Sequence, residues 1–323
     1  MTKIIFTISL LSLAIVTFMG CQPDINDLIT AIEGRNFEEA QNLIDRGVPV
    51  YDESLTVQPL EQAVRSSNLE IFQSLLNSGA STQHMFANGQ TPIQYLLERK
   101  YFRYLPALLD AGANFDVIWN DEPLAFFLIE MRQEEIVIEM IKHGYDANIL
   151  DSFGRNLLHQ EIGMATTNPE FVSFLVDSGI DPLSSQNFRV SAFEAALSSG
   201  DKPAIYAIVN SGIEVQEAER LWSPLIRVWT EKRMVEIAET FLSLGVPINR
   251  PNDFPLHSAV RQVSFEALKW FLENGADPNR LDQNGVLPEY YTWNYGGMTP
   301  VDEVDDYWVS LINQFKSEIS KYR

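Results

Sequence analysis

Trp270-Phe-Leu-Glu-Asn-Gly-Ala-Asp-Pro-Asn279 reads as the end of an amphipathic helix, a stop at Gly275 and a polar turn. Glycine suits the place just past a helix because it takes a left-handed backbone without a Cβ penalty. The same phrase recurs upstream as Leu43-Ile-Asp-Arg-Gly47, Leu75-Leu-Asn-Ser-Gly79, Leu108-Leu-Asp-Ala-Gly112 and Met140-Ile-Lys-His-Gly144. It continues as Leu175-Val-Asp-Ser-Gly179, Ile208-Val-Asn-Ser-Gly212 and Leu242-Ser-Leu-Gly245. The steps between successive glycines are 32, 33, 32, 35, 33, 33 and 30 residues. A fixed period of this size is the signature of a solenoid of stacked units.

A second marker keeps the same beat. Ahead of each glycine sits a helix-start signal, clearest in Gln90-Thr-Pro-Ile-Gln94 and Phe254-Pro-Leu-His-Ser-Ala259. Shorter forms are Gln58-Pro-Leu-Glu61, Glu122-Pro-Leu-Ala125 and Ser223-Pro-Leu-Ile226, and two copies lack the proline, Asn156-Leu-Leu-His159 and Ser191-Ala-Phe-Glu194. A Thr or Ser before Pro supplies an N-cap, then a residue whose missing N–H is not needed in the first turn. Each unit therefore reads as start signal, short helix, turn, second helix, Gly stop and polar hairpin.

These units resemble ankyrin repeats, whose unit carries Thr-Pro-Leu-His-x-Ala near its start and Gly-Ala-Asp-x-Asn at its close. Gly275-Ala-Asp-Pro-Asn279 matches that close in full, and Gly112-Ala-Asn-Phe-Asp116 and Gly144-Tyr-Asp-Ala-Asn148 match it in part. The resemblance covers residues 26 to 290 and is carried by two motifs in phase; only Asn156-Leu-Leu-His159 and Phe254-Pro-Leu-His257 keep the histidine. It implies an all-α ankyrin-repeat solenoid of about eight to nine helix-turn-helix units with short β-hairpin-like loops and a C-terminal helical cap. The boundaries that follow are a signal peptide over 1–20, a lipidated tether over 21–26, the repeat array over 27–288 and a capping segment over 289–323.

The middle repeats show their core at helical spacing: Leu69, Ile71, Phe72, Leu75 and Leu76; Ile136, Ile138, Met140 and Ile141; Val235, Ile237, Ala238, Phe241 and Leu242. Such stripes are core faces rather than cofactor boxes. Ala31, Ala63, Ala195 and Ala259 fall in first helices, where small residues allow close approach. Asp27 reads as the cap of a first helix over Leu28 to Glu33, followed by a second over Phe37 to Asp45. The longest step, 35 residues, carries an insertion, Ala165-Thr-Thr-Asn-Pro169, read as a local loop or a hinge. Val301 to Lys321 reads as a closing helix with Trp308, Leu311, Ile312 and Phe315 on one face.

The chain has 23 Lys and Arg against 44 Asp and Glu, a formal net charge of −21. That argues against nucleic acid, which must be neutralised by basic side chains, and against docking of the folded surface on anionic lipid. It favours a basic protein partner, or simply a soluble, self-repelling surface.

Lys3 followed by the apolar run Ile4 to Phe18 reads as a signal-peptide core, too short to span a bilayer comfortably. It ends in Phe18-Met-Gly-Cys21, which resembles the bacterial lipoprotein signal, where a small residue precedes the lipid-bearing cysteine. Cys21 is the single cysteine of the chain. The resemblance implies acylation at Cys21, a membrane anchor and, with Gln22 rather than Asp next, the periplasmic face of the outer membrane. A plain secretory peptide with an incidental cysteine is the other reading.

The hairpin tips are the exposed, variable parts of such an array, and an ankyrin array binds proteins through them and through the exposed face of the first helices. Trp119 and Asp121 in Trp119-Asn-Asp121, Phe153 in Asp151-Ser-Phe153, Phe188 in Gln186-Asn-Phe188 and Asp253 in Pro251-Asn-Asp253 are the expected partner-binding residues. Each aromatic is either a binding anchor or a ring folded back on a neighbouring repeat. No nucleophile elbow, His-Glu-x-x-His or phosphate loop is present. Asp282-Gln-Asn284-Gly285 fails as a calcium loop because Trp293 stands where the closing Glu belongs. Asp302, Glu303, Asp305 and Asp306 suit a solvated helix start. His159 and His257 occupy the start motif, where the resemblance implies bonding of the imidazole to neighbouring backbone. No metal, cofactor, small-molecule substrate or catalytic activity is expected. The reading is a binding module acting as scaffold or adaptor; the alternative is an immunity-type inhibitor of a toxic antibacterial effector in the periplasm.

Overall fold

The beat of glycines becomes a beat of turns. In the computed structural model all eight of Gly47, Gly79, Gly112, Gly144, Gly179, Gly212, Gly245 and Gly275 have φ between +76° and +95°. That conformation is one an L side chain adopts only under strain, so the glycine fixes where each second helix stops. The structure describes residues 22–185, 189–218, 220–229, 233–291 and 306–323. The signal segment, Cys21, Phe188, residues 292–305 and the side chains of Trp308, Leu311 and Ile312 lie outside that set. The chain forms two compact units, residues 1–116 and 117–323.

The first unit contains the helix pairs Ile25–Glu33 with Phe37–Asp45, Pro59–Arg65 with Leu69–Asn77, and Pro92–Glu98 with Leu105–Asp110. A 3-10 turn over Phe102–Tyr104 precedes the last of these. The opening helix begins earlier than expected. Asp24, not Asp27, is its N-cap, and Asp27 closes a capping box from the third helical position by accepting the Asp24 N–H at 2.9 Å. Both aspartates are cap-type residues; the earlier one prevails because the two then satisfy each other's backbone donors. First helices pack on the next first helix and second on second, as Ile25–Glu33 does on Pro59–Arg65 and Phe37–Asp45 on Leu69–Asn77. Phe72 and Tyr104 meet edge-to-face with centroids 5.0 Å apart.

The second unit opens with a two-residue ladder, Ile118–Trp119 against Glu122–Pro123, antiparallel. Helix pairs follow over Leu124–Glu130 and Glu134–Lys142, Leu157–Ile162 and Pro169–Asp177, and Ala192–Ser199 and Lys202–Asn210. Two more pairs are Trp222–Ile226 with Arg233–Ser243 and Pro255–Arg261 with Phe265–Glu273, before the final helix Asp306–Ser320. Its core includes an aromatic cluster: Trp222 is fully buried and meets Phe241 at 5.8 Å and Phe271 at 5.4 Å. Each such ring contributes about 2 to 3 kcal/mol by leaving water, with a further edge-to-face attraction.

The expected stripes are correct in phase and imperfect in detail. Val137 is fully buried, whereas Ile138 and Ile141 are half-buried, and Ala196 rather than Ala195 takes the close-packed place. The closing helix packs on Phe265–Glu273 through Phe315, which is buried and edge-on to Phe265 at 5.6 Å. The insertion at 165–169 is a stitched loop: Asn168 donates its N–H to Glu161 at 2.6 Å, and the Thr167 hydroxyl bonds Asp201 of the next repeat. Among the described residues no helix is long and apolar enough to cross a membrane.

Candidate functional site

The tip at Trp119 is built by its turn. Asn120 and Asp121 both have positive φ, +53° and +67°. Two left-handed central residues make the hairpin turn whose twist matches its strands, and Asn and Asp tolerate that conformation best after Gly. The ladder pairs Ile118 with Pro123 and Trp119 with Glu122. Trp119 is half-buried, its ring 6.2 Å from Phe127 and tilted, so it folds partly back onto the first helix of its own repeat. Asp121 is exposed at the apex, and Ile118, which the sequence did not single out, is 68% exposed.

The next tip presents Phe153, 70% exposed. Its exposure is held in place by polar contacts beneath it. The buried Asp151 carboxylate accepts the N–H groups of Phe153 at 2.9 Å and Arg155 at 2.8 Å and the Arg155 Nε–H at 2.5 Å. Ser152 donates from N and Oγ to the Glu122 carboxylate of the preceding tip, at 3.1 and 2.5 Å. The two tips are therefore tied, and the cleft between them, about 160 Å³, is lined by Trp119, Glu122, Phe126, Phe127, Glu130 and Gln160 among others. A partner meeting this pair meets groups already fixed, which lowers the ordering cost of association.

Asp253, expected among the partner-binding residues, is not exposed at its tip. It is fully buried, and its carboxylate accepts the N–H groups of Leu221, Trp222 and Ser223 at 2.7, 2.6 and 2.9 Å and the Ser223 hydroxyl at 2.5 Å. It caps the helix Trp222–Ile226 of the preceding repeat from 30 residues downstream. That helix also starts two residues earlier than Ser223-Pro-Leu-Ile226 implied, because its cap comes from another repeat rather than from Ser223.

A related device runs through the fourth residue of the start motif. His159 bonds the Val190 carbonyl and His257 the Val286 carbonyl through Nε2, each at 2.9 Å and each in the following repeat. Where the motif carries an acid, the polarity reverses: buried Glu61 accepts the Ala87 N–H at 2.9 Å, and Glu194 pairs with Arg220 at 2.8 Å. Burial holds both imidazoles below the ordinary histidine value of 6.5, with the carbonyl bonds acting in opposition. Burial likewise raises the Glu161 carboxyl, despite the Asn168 N–H and Arg132 beside it. His143 bonds the Glu139 carbonyl at the end of its helix, at 2.9 Å. Among the described residues no three His, Cys, Asp or Glu side chains gather to hold a metal.

Comparison with known proteins agrees with this residue-level pattern. Residues 252–283 match the family model described as ankyrin repeat. Ankyrin repeat protein FPV230 of fowlpox virus (strain NVSL) is 25% identical over 177 residues, covering 53% of this chain and 93% of the relative. The human ASB11 ankyrin repeat domain superposes with a TM-score of 0.49 at 15% identity, over 70% of this chain and 98% of that one. A chain of the complex between the predatory endopeptidase Bd0816 of Bdellovibrio bacteriovorus and the immunity protein Bd3460 gives 0.38 at 19% identity, over 58% and 99%. The paired helices, the glycine stops and the histidines that reach the next repeat make the fold an ankyrin-repeat solenoid.

Proposed function

We propose that the chain binds a protein partner through the tied tips at Trp119 and Phe153 and the adjoining face of the first helices, as a scaffold or adaptor. The observation that carries this reading is Phe153, a large aromatic 70% exposed on a loop that four hydrogen bonds and an ion pair hold rigid. An unsupported ring in that position would fold against its neighbours; a fixed and exposed one has the properties of an interface anchor. Ile118 and the half-buried Trp119 extend the apolar surface beside it. The site would sit in the periplasm, anchored to the outer membrane by acylated Cys21; the support for that is the apolar run ending in Gly20-Cys21.

The test is a crosslinked pull-down from the native envelope with the tagged mature chain, beside Phe153→Ala and Trp119→Ala variants. A partner captured by the parent and lost with Phe153→Ala supports the reading. Equal capture by both chains defeats it. Radiolabelled palmitate incorporated by the parent and not by Cys21→Ser tests the anchor separately. The narrower reading, an inhibitor that covers a toxic effector, rests on the net charge of −21, which accelerates association with a basic active-site rim. It predicts that the captured partner is an enzyme whose activity the parent chain suppresses.

A further inference from the structure

The charge of the chain is not spread evenly. A cleft of about 280 Å³ in the second unit lies between the first helices and loops of its last repeats. Arg220, Arg227, Arg261 and His257 line it, and Asp282 is the single acid among its lining residues. In a chain with 44 acids and 23 bases, three guanidinium groups around one small cavity run against the composition.

The local acids neutralise Arg220, through Glu194, and leave Arg227 and Arg261 largely uncompensated. Asp282 is committed to its own turn: it accepts N–H groups from Asn284 at 2.9 Å and Val286 at 3.1 Å and the hydroxyl of Tyr291. Its contact with Arg261 is long, 3.6 Å, and Arg261 otherwise lies over the Tyr291 ring at 3.9 Å, which orients the guanidinium without neutralising it. Asp253 is buried under Ser223 with its acceptor capacity used on backbone N–H groups. Arg220 pairs with Glu194 through its terminal nitrogen, while its Nε is buried and has no acceptor among the described residues. Arg227 is exposed at the end of the helix Trp222–Ile226 and has no ion pair among the described residues.

We infer that this cleft is a receptor for the carboxylate of an acidic segment on the protein partner, with Arg227 and Arg261 as its principal contacts. The inference rests on the protein-binding reading above and names the partner's chemistry at a second place on the same unit. Guanidinium groups match carboxylate geometry with paired N–H donors. The cavity has room for one or two side chains. A nucleic acid is disfavoured, because its phosphates would run past the cleft onto an acidic surface. The net charge thus repels polyanions in general while the cleft accepts one short acidic feature, which is a way to obtain specificity by combining attraction with repulsion.

The test is fluorescence anisotropy of a labelled hexaglutamate peptide with the full mature chain, using hexalysine peptide and inorganic phosphate as the other probes. The expected result is saturable hexaglutamate binding that phosphate at equal concentration does not displace. Arg227→Glu should weaken that binding at least about tenfold, since a charged hydrogen bond is replaced by repulsion. Arg261→Gln should weaken it less, and Lys142→Ala should leave it unchanged. The Arg227 side chain is exposed and unpaired among the described residues, so the variant keeps the parent's thermal midpoint. Absence of hexaglutamate binding, equal binding by Arg227→Glu, or displacement by phosphate at equal concentration overturns the inference. A partner captured by the parent, lost with Phe153→Ala and fully retained by Arg227→Glu would leave the protein-binding reading standing and remove this one.

Discussion

The loops at Phe153 and Asp253 occupy the same place in their repeats and read alike, as polar tips. Their side chains go opposite ways. In the first, Asp151 turns into its own loop and Phe153 is left 70% exposed. In the second, Asp253 crosses to the preceding repeat and is fully buried on three backbone N–H groups. The difference lies in what each tip finds beside it. The helix Leu124–Glu130 begins with its Leu124 N–H already bonded to the Val117 carbonyl across the hairpin, at 3.0 Å. Among the described residues the helix Trp222–Ile226 has no such hairpin and no side-chain cap of its own, so an acid arriving from the next tip completes it. A tip is free to bind a partner where the neighbouring helix start is already satisfied, and becomes structural where it is not.

The contrast can be broken most directly at Asp253. Asp253→Ala leaves three backbone donors and a hydroxyl without their acceptor, and the loss of stability should be about 3 kcal/mol or more. A shift of the urea midpoint at constant slope measures it; a shift below about 0.5 kcal/mol would place Asp253 among ordinary surface acids. Phe153→Ala should do the reverse. Its stability stays within about 0.5 kcal/mol of the parent, while affinity for the captured partner falls at least about tenfold. Trp119→Ala should lie between the two, losing about 1 kcal/mol of stability from the contact with Phe127 and part of the partner affinity. If it loses only stability, the ring belongs to the fold and the binding site narrows to Phe153.

The smallest effect concerns what the two regions share. His159 and His257 are each neutral, buried donors to the next repeat, and burial lowers the pKa of both. A depressed histidine holds its stabilising contribution above the unfolded value of 6.5 and loses it as the pH falls through the folded value, because the unfolded chain takes up the proton first. The thermal midpoint should therefore decline on going from pH 7.5 toward pH 5.5, within about the histidine range. A His159→Gln, His257→Gln double variant should be less stable at the upper end and show a flatter decline. An unchanged slope in that variant would assign the decline to other groups.

Much of this was legible in the sequence because it is local. The glycine beat predicted turns that recur at positive φ, and Phe37–Asp45 has the bounds its pattern implied. The histidines of the start motif bond backbone as the resemblance implied. The misreadings involve choices that adjacent residues do not make. Asp24 displaced Asp27 because two cap-type residues stand three apart and only one arrangement satisfies both. Asp253 read as an exposed tip because nothing near it announces three N–H groups 30 to 32 residues upstream. The arginine cleft was hidden for the same reason: Arg220, Arg227 and Arg261 are scattered singly along an acidic chain, and only stacking brings them together.

The cap that Asp253 supplies runs from a later residue to an earlier helix, and protein synthesis runs the other way. When Trp222–Ile226 leaves the ribosome its amide donors have no acceptor from this source, and they wait until residue 253 has followed. The same order holds for His159, which waits for Val190, and His257, which waits for Val286. Three repeats of the second unit are thus completed one repeat late, so the growing chain carries an unfinished turn near its newest end. A stop codon placed after Gly179, Gly245 or Gly275 would make that unfinished state permanent.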